Sequence, residues 1–389
     1  MADDVVIMSA VRTPIGKFGR NFKTVSAVQL GTIAARAAIL RSGVDPTDIQ
    51  QAIFGTVLQA GLGQNLARQV SLNAGLDVRS TAMTVNQVCG SSLKAIRLGQ
   101  AAILMGDADA VLVGGAENMS QAPYLDCETR WGHKMGDYEM TDSLLSDGLM
   151  DAFNQVPMGI TAENVATEFQ VSRADQDALA LRSQENAVRA QAEHRFDAEI
   201  VPVTVGDRVV TTDEAVRPDT SRAKLAALKP AFKADGTVTA GNAAGLNDGA
   251  AAMVLMRKSA ADAAGLPYLA VIKNYQESGI DPALMGYAPT MAIRRVLDRQ
   301  HWTLADLDRI ELNEAFAAQS VAVTRDLHLP VEKLNVNGGS IALGHPLGAS
   351  GTRIVVTLLH ELIRTDLHRG LASMCIGGGM GMALLIERP

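Results

Sequence analysis

The sequence predicts an α/β protein built from two similar halves, and three observations carry that reading. Short apolar runs without polar alternation (VVIM at 5–8, AVLV at 110–113, LASM at 371–374) read as strands covered on both faces, the pattern of parallel sheets. Helical segments lie between them, which is the α/β signature. The order of elements also repeats weakly. DPTDIQQAIFG (45–55) and TLADLDRIELN (303–313) each leave a helix, pass an Asp-Ile or Asp-Leu pair and enter a strand. Thr84-Val85-Asn86 and Asn335-Val336-Asn337 each lead into a glycine- and serine-bearing segment and then a helix, 93–105 or 352–364. The strands that follow, from Ala110 and Leu371, run into Gly114-Gly115 and Gly377-Gly378-Gly379.

The helix at 93–105, LKAIRLGQAAILM, carries only Lys94 and Arg97 as charges. A helix apolar nearly all round is buried on most sides, so each half is expected to donate one helix to a shared middle layer between two sheets. From roughly 118 to 249 the texture changes. Gly, Asp, Met and aromatic residues dominate 124–160, and SRADQDALALRSQENAVRAQAEHRF (172–196) reads as one long polar helix. Ser172 is its expected N-cap, with Asp175 in the first turn. The narrow apolar stripe places this helix on the surface of a loop-rich insertion, the kind of segment that carries ligand contacts on a rigid scaffold.

The formal net charge of −7 argues against a general binder of nucleic acid or anionic membrane, while leaving room for a local basic pocket. The cysteines, Cys89, Cys127 and Cys375, are odd in number and too widely spaced for a zinc motif, which reads as a reduced compartment and no metal. The acidic opening MADDVVIMSAVRTP is not a signal or transit peptide, and LLIERP is not a peroxisomal address. Without a run of 18 apolar residues, no membrane span is expected. A cytoplasmic protein is the expectation.

Four places could do chemistry. Cys89, in VNQVCGSSLKAI, stands where a helix starts, and unpaired N–H groups there favour a thiolate by about 0.3–1 kcal/mol, at most about 2. From a thiol pKa near 8.5 that leaves a mixed population at neutral pH; the bland alternative is a small core thiol. His345 lies between Gly344 and Pro346 in GGSIALGHPLGASG (338–351), where five glycines in fourteen residues imply close backbone approach; its alternative is a solvated turn. Cys375, in MCIGGGMG (374–381), ends an apolar strand before glycines whose N–H groups can bind an anion, or is simply a buried strand end. Asn313 and Glu314, in NEAFAAQ (313–319), end a predicted strand, where α/β folds place functional groups, unless Asn313 only caps a helix. The duplication brings the two helix starts together. One thiol, one imidazole, a further thiol and oxyanion donors suit acyl transfer through a covalent thioester.

With these residues in view, the sequence resembles the thiolase family over nearly its whole length. NQVCGSSLKAI, VTAGNAAGLNDGAAA (238–252), NEAFAAQ, NVNGGSIALGHPLGASG and CIGGGMG look like thiolase signatures, in the family's order. The resemblance implies a thiolase fold, two duplicated βα halves in a five-layered αβαβα sandwich with a loop-rich insertion. The halves would comprise 1–117 with 250–269, and 270–389, around an insertion at 118–249. It implies Cys89 as the acyl-accepting nucleophile, His345 as its base, and Cys375 as the second acid/base. Asn313 would hold a water beside His345 in one oxyanion hole, and the N–H groups of Cys89 and Gly377 would form the other. For coenzyme A the resemblance carries over Arg217 near the adenine, Met285 in LMGYAP at the short acyl pocket, Ala315 and Phe316 beside the pantetheine, and Met158 as a further contact. It implies acyl-CoA substrates with no separate cofactor, and a homotetramer through TRWGHKMGDYEM (129–140).

Two departures stand out. Ala244 replaces a frequent Ser whose bond to the pantetheine is worth about 0.5–1.5 kcal/mol, up to roughly tenfold in affinity. Pro157 stands where biosynthetic members read His before Met-Gly. The expected reaction is the reversible, ping-pong condensation of two acetyl-CoA to acetoacetyl-CoA and CoA. Beside it stand a degradative thiolase for longer 3-ketoacyl-CoA, a decarboxylating condensing enzyme, which would lack Cys375, and a silent acyl-CoA or lipid carrier.

Overall fold

The computed structural model describes residues 3–389. The first half comprises β1 (Val5–Arg12), α1 (Ala27–Ser42), β2 (Gln51–Gly55), α2 (Leu66–Ala74), β3 (Thr81–Val85), α3 (Ser91–Met105) and β4 (Ala110–Asn118). The insertion carries α4 (Met158–Glu168) and α5 (Arg173–Ala192), after which β5 (Asn247–Arg257) returns to the first sheet. Then follow β6 (Ala270–Gly279), α6 (Pro289–Gln300), β7 (Arg309–Leu312), α7 (Ala317–Leu327), α8 (Ser350–Arg364), β8 (Arg369–Ile376) and β9 (Met380–Glu387).

The strand order is β3-β2-β4-β5-β1 in the first half and β7-β8-β9-β6 in the second. A parallel bridge from Ile310 to Leu334 extends the second half where β3 extends the first. The halves join through a short antiparallel contact of β1 with β6, Val6 opposite Val271 and Ile7 opposite Ala270. The apolar runs do not mark an all-parallel sheet, as the sequence alone implies. β4 is parallel to β2 but antiparallel to β5, β8 is parallel to β7 but antiparallel to β9, and both neighbours of β1 run against it. What the runs report is cover on both faces, whatever the direction of the neighbouring strand.

That cover comes in layers. Val6 and Met8 of β1 face α1, with Leu30, Ala34 and Ile39. Val5 and Ile7 face the middle, where Ile96 and Ile103 of α3 meet Val355, Leu358 and Leu359 of α8. Ile293 and Val296 of α6 cover the far side, against Leu371 and Leu385. The period-two alternation of β1 thus feeds two cores at once. Fully burying one such aliphatic side chain is worth about 1.5–3 kcal/mol.

The starts of α3 and α8 touch. The Thr352 N–H donates to Ser92 Oγ at 2.9 Å, and Thr352 Oγ1 donates to the Ser92 carbonyl at 3.2 Å. Gly351 permits this, because a Cβ there would lie 2.4 Å from the backbone N of Leu93. α5 begins where expected, with Ser172 and Asp175 forming a capping box. It is not confined to the surface, however: Gln176, Asp177, Ser183 and Gln184 are buried along one face. A polar side chain is no mark of exposure when the fold supplies its partners.

Candidate active site

Strand ends and helix starts from both halves converge on a cavity of about 60 Å³. Cys89 follows β3, His345 lies in the loop before α8, and Cys375 is the penultimate residue of β8. All three line this cavity, as do Met158, Ala244, Met285, Ala315 and Phe316. Arg217 does not. It is exposed, beside a separate depression with Gln184 and Arg189; its backbone N–H donates to Gln184 Oε1 at 2.8 Å, and its carbonyl accepts from the N–H and Oγ1 of Thr220 at 3.2 and 3.0 Å. Pro157 is exposed at the start of α4. Cys127 is an exposed free thiol.

Cys89 is a half-buried free thiol. The helix-start argument for a thiolate fails here for a specific reason. The N–H groups of Gly90 and Ser91 are taken by the carbonyls of Gln87 and Val88, at 3.0 and 3.1 Å, so they do not face the sulfur. Burial dominates and pushes the thiol up to about 11. The opposing donors are the backbone N–H groups of Gly377 and of Cys89 itself. Gly377 thereby faces the Cys89 sulfur. The α3 N-terminus also approaches β8 tightly, since a Cβ on Gly90 would lie 2.4 Å from Ile376 Cδ1. Cys375 is 1% exposed. Burial, then the neighbouring Cys89, raises its thiol well above the ordinary value.

His345 is buried, and its Nδ1 lies 2.6 Å from Ser350 Oγ. Ser350 Oγ donates its single proton to the Pro346 carbonyl at 2.8 Å, so Nδ1 must be the protonated nitrogen. Nε2, buried and without a partner, then presents a lone pair. Burial, then Arg353, lowers the imidazole to about 3; the resting ring is neutral. Asn313 is equally oriented. Its Oδ1 accepts from Ser340 Oγ at 2.5 Å, and Ser340 Oγ accepts from Arg353 Nη2 at 2.9 Å. Asn313 Nδ2 is left buried and unpartnered. His345 lines the cavity, whereas Asn313 lies behind that lining, two residues before Ala315, which does line it. Two unpaired buried nitrogens are what a site for a water or a thioester oxygen requires.

Several supporting residues escaped the sequence reading. Glu117, at the end of β4, accepts from the N–H groups of Val57, Leu58 and Gly348 at 2.9, 3.1 and 2.8 Å, and from Thr56 Oγ1 at 3.1 Å. It pins the His345 loop to the first half. Arg353 is fully buried inside α8, 3.6 Å from Glu311. Glu314, singled out beside Asn313, does not line the cavity. Its carboxylate accepts from Ser183 Oγ at 2.6 Å, Asn335 Nδ2 at 2.8 Å and the Ile341 N–H at 3.3 Å, which holds the 335–341 loop. The signal for Glu117 is a charge at the end of an otherwise uncharged buried strand, and for Arg353 a charge just before the apolar run IVVTLL.

Residues 5–259 match the family model of the thiolase N-terminal domain, and residues 266–388 that of the thiolase C-terminal domain. An acetyl-CoA acetyltransferase of Cupriavidus necator is 52% identical over 390 residues, covering 99% of each chain. One from Pseudomonas aeruginosa is 51% identical over 390 residues, again covering 99% of each chain. The crystal structure of the Bacillus anthracis acetyl-CoA acetyltransferase superposes with a TM-score of 0.97 at 43% identity, over 100% of this chain and 99% of that one. With both family models spanning nearly its whole length, the chain belongs to the thiolase family.

Proposed function

We propose that this protein is an acetyl-CoA C-acetyltransferase, which reversibly condenses two acetyl-CoA to acetoacetyl-CoA and CoA. The observation that carries the reading is two neighbouring thiols on one enclosed cavity, beside a His345 Nε2 and an Asn313 Nδ2 that lack partners. The names and full-length identity of the bacterial relatives support the same reaction.

In the resting site both thiols and the imidazole are neutral. As Cys89 attacks the first thioester, its proton passes to His345 Nε2, which then becomes a donor to the thioester oxygen of the second acetyl-CoA as that oxygen becomes an enolate. Asn313 Nδ2 serves the same oxygen through a water. The departing CoA sulfur takes the proton of Cys375 and leaves a Cys375 thiolate beside the Cys89 thioester. That thiolate removes an α-proton from the second acetyl-CoA, and the enolate attacks the acyl carbon. Collapse releases Cys89, which recovers its proton from His345. The Gly377 N–H, already facing the Cys89 sulfur, serves the oxygen of the Cys89 acyl group two bonds away, together with the N–H of Cys89. Coenzyme A enters as substrate, and thiol and acid–base chemistry suffice for the steps.

Met285, 3% exposed, packs with Ala315 and Cys375 and limits the acyl end to short chains. Arg217 is assigned to the adenine end of coenzyme A, remote from the reacting sulfurs. Trp131 and Met135, 92% and 91% exposed on the 129–140 loop, are the apolar surface through which a homotetramer would form. Among the described residues no helix is long and apolar enough to cross a membrane, and all three cysteines are free, in keeping with work in the reducing cytoplasm. The test is thiolysis of 3-ketoacyl-CoA substrates from acetoacetyl upward. Activity confined to four carbons is expected. A preference for longer chains would move the protein to degradative chemistry, and no thiolysis by folded protein would leave a carrier.

A further inference from the structure

Gln319, on the first turn of α7, is fully buried. Its amide meets three backbone or hydroxyl groups and one sulfur. The Asn313 carbonyl can only accept and the Ser320 backbone N–H can only donate, so one amide orientation satisfies both. In it Nε2 donates to the Asn313 carbonyl at 3.1 Å, while Oε1 accepts from Ser320 Oγ at 2.9 Å and from the Ser320 N–H at 2.8 Å. The opposite orientation sets two oxygens against each other. The amide atom on the Asn313 side lies 3.3 Å from Cys375 Sγ. That atom is therefore the nitrogen, and after its bond to the Asn313 carbonyl it has one proton left to offer the sulfur. The side chain is held from behind by Gly286, where a Cβ would lie 2.6 Å from Gln319 Cβ.

We propose that Gln319 is the positioning residue of the second thiol: Nε2, anchored on the Asn313 carbonyl, donates to Cys375 Sγ and stabilises the thiolate that exists between loss of its proton to CoA and capture of the α-proton. The inference rests on the reading of Cys375 as the second acid/base. The chemistry needs such a donor, because burial and the adjacent Cys89 both disfavour a charged Cys375. One residue on α7 would thus tie the Asn313 backbone, which carries one oxyanion donor, to the sulfur that carries the proton.

The test uses full-length protein with Cys89→Ala and Cys127→Ala, in which Cys375 is the sole remaining thiol of three. The pH dependence of its alkylation by iodoacetamide is compared among Gln319, Gln319→Glu and Gln319→Met. Loss of the N–H donor raises the midpoint by about one pH unit or more. At fixed pH below the midpoint the rate falls about fourfold or more, a tenfold loss of thiolate partly offset by greater nucleophilicity. Gln319→Glu, which adds a like charge, shifts further than Gln319→Met. A merely structural role lowers the unfolding temperature and leaves the midpoint in place, and that result overturns the proposal. Failure of both variants to fold assigns Gln319 to the core and overturns it too. Cys375→Ala with normal carbon–carbon bond exchange would instead remove the acid/base reading and leave the midpoint shift standing.

Discussion

Ser350→Ala isolates how the tautomer of His345 is set. Ser350 Oγ stands 2.6 Å from Nδ1 and sends its proton to the Pro346 carbonyl. Without it, Nδ1–H is buried with no acceptor, or the proton moves to Nε2 and the ring can no longer take the Cys89 proton. Either way the imidazolium formed during acylation loses a bond from a charged donor, worth about 1.5–3 kcal/mol. Burial has already lowered the ring to about 3, so the imidazolium has little stabilisation to spare. The expected result is a fall of roughly 10- to 150-fold in the rate of Cys89 acylation by acetyl-CoA, read by rapid-quench measurement of the first turnover. Stability should fall by less, about 1–2 kcal/mol, because the neutral ring of the ground state loses a weaker bond. Acylation within threefold of the parent rate, in a variant that unfolds at a similar denaturant concentration, would refute the tautomer argument.

Cys375→Ala should still form the Cys89 acyl-enzyme but lose carbon–carbon bond exchange by at least about a hundredfold, the usual worth of a positioned acid/base; normal thiolysis would remove Cys375 from that role. Glu117→Gln places an NH₂ among three backbone N–H groups that only donate and one hydroxyl. The best orientation lets Thr56 turn its hydroxyl but leaves the Leu58 N–H and one amide N–H facing each other unpaired, for a loss of about 1–3 kcal/mol or more in urea unfolding and slower acylation from a loosened His345 loop. An unchanged midpoint would show that the carboxylate anchors nothing. For pH, a histidine held near 3 in the fold and near 6.5 when unfolded binds fewer protons folded. Stability is therefore present above about 6.5 and is lost as pH falls toward 3. Between pH 7 and pH 5 this costs about 2 kcal/mol, and His345→Asn should lose that much less over the same interval.

Much of this architecture is legible in the linear chain, for local reasons. The apolar girth of 93–105 marks a helix buried on most sides, and α3 runs over Ser91–Met105 in the middle layer, with only Leu104 and Met105 of its apolar residues exposed at the C-terminal end. The Ser172 and Asp175 pair marks the start of α5. Cys89, His345 and Cys375 are legible because each stands where a glycine-rich turn meets a regular element, and glycine there signals something close by. Strand direction was not legible, since a strand covered on both faces reads the same whichever way its neighbour runs.

Residue type and local pattern, by themselves, determined the fold class, the family and the side chains proposed to react, because those depend on which groups are present and on the periodicity of a single segment. Tertiary structure alone decided their protonation and aim. The helix start at Cys89 favours charge on paper, yet its leading N–H groups are spent on the turn before it, and loss of water outweighs what remains. The free lone pair of His345 depends on Ser350, the orientation of Asn313 on Ser340 and Arg353, and the seat of the His345 loop on Glu117, which lies 231 residues from Gly348. Such couplings are long in sequence and short in space, so only the folded chain brings the partners within hydrogen-bonding distance.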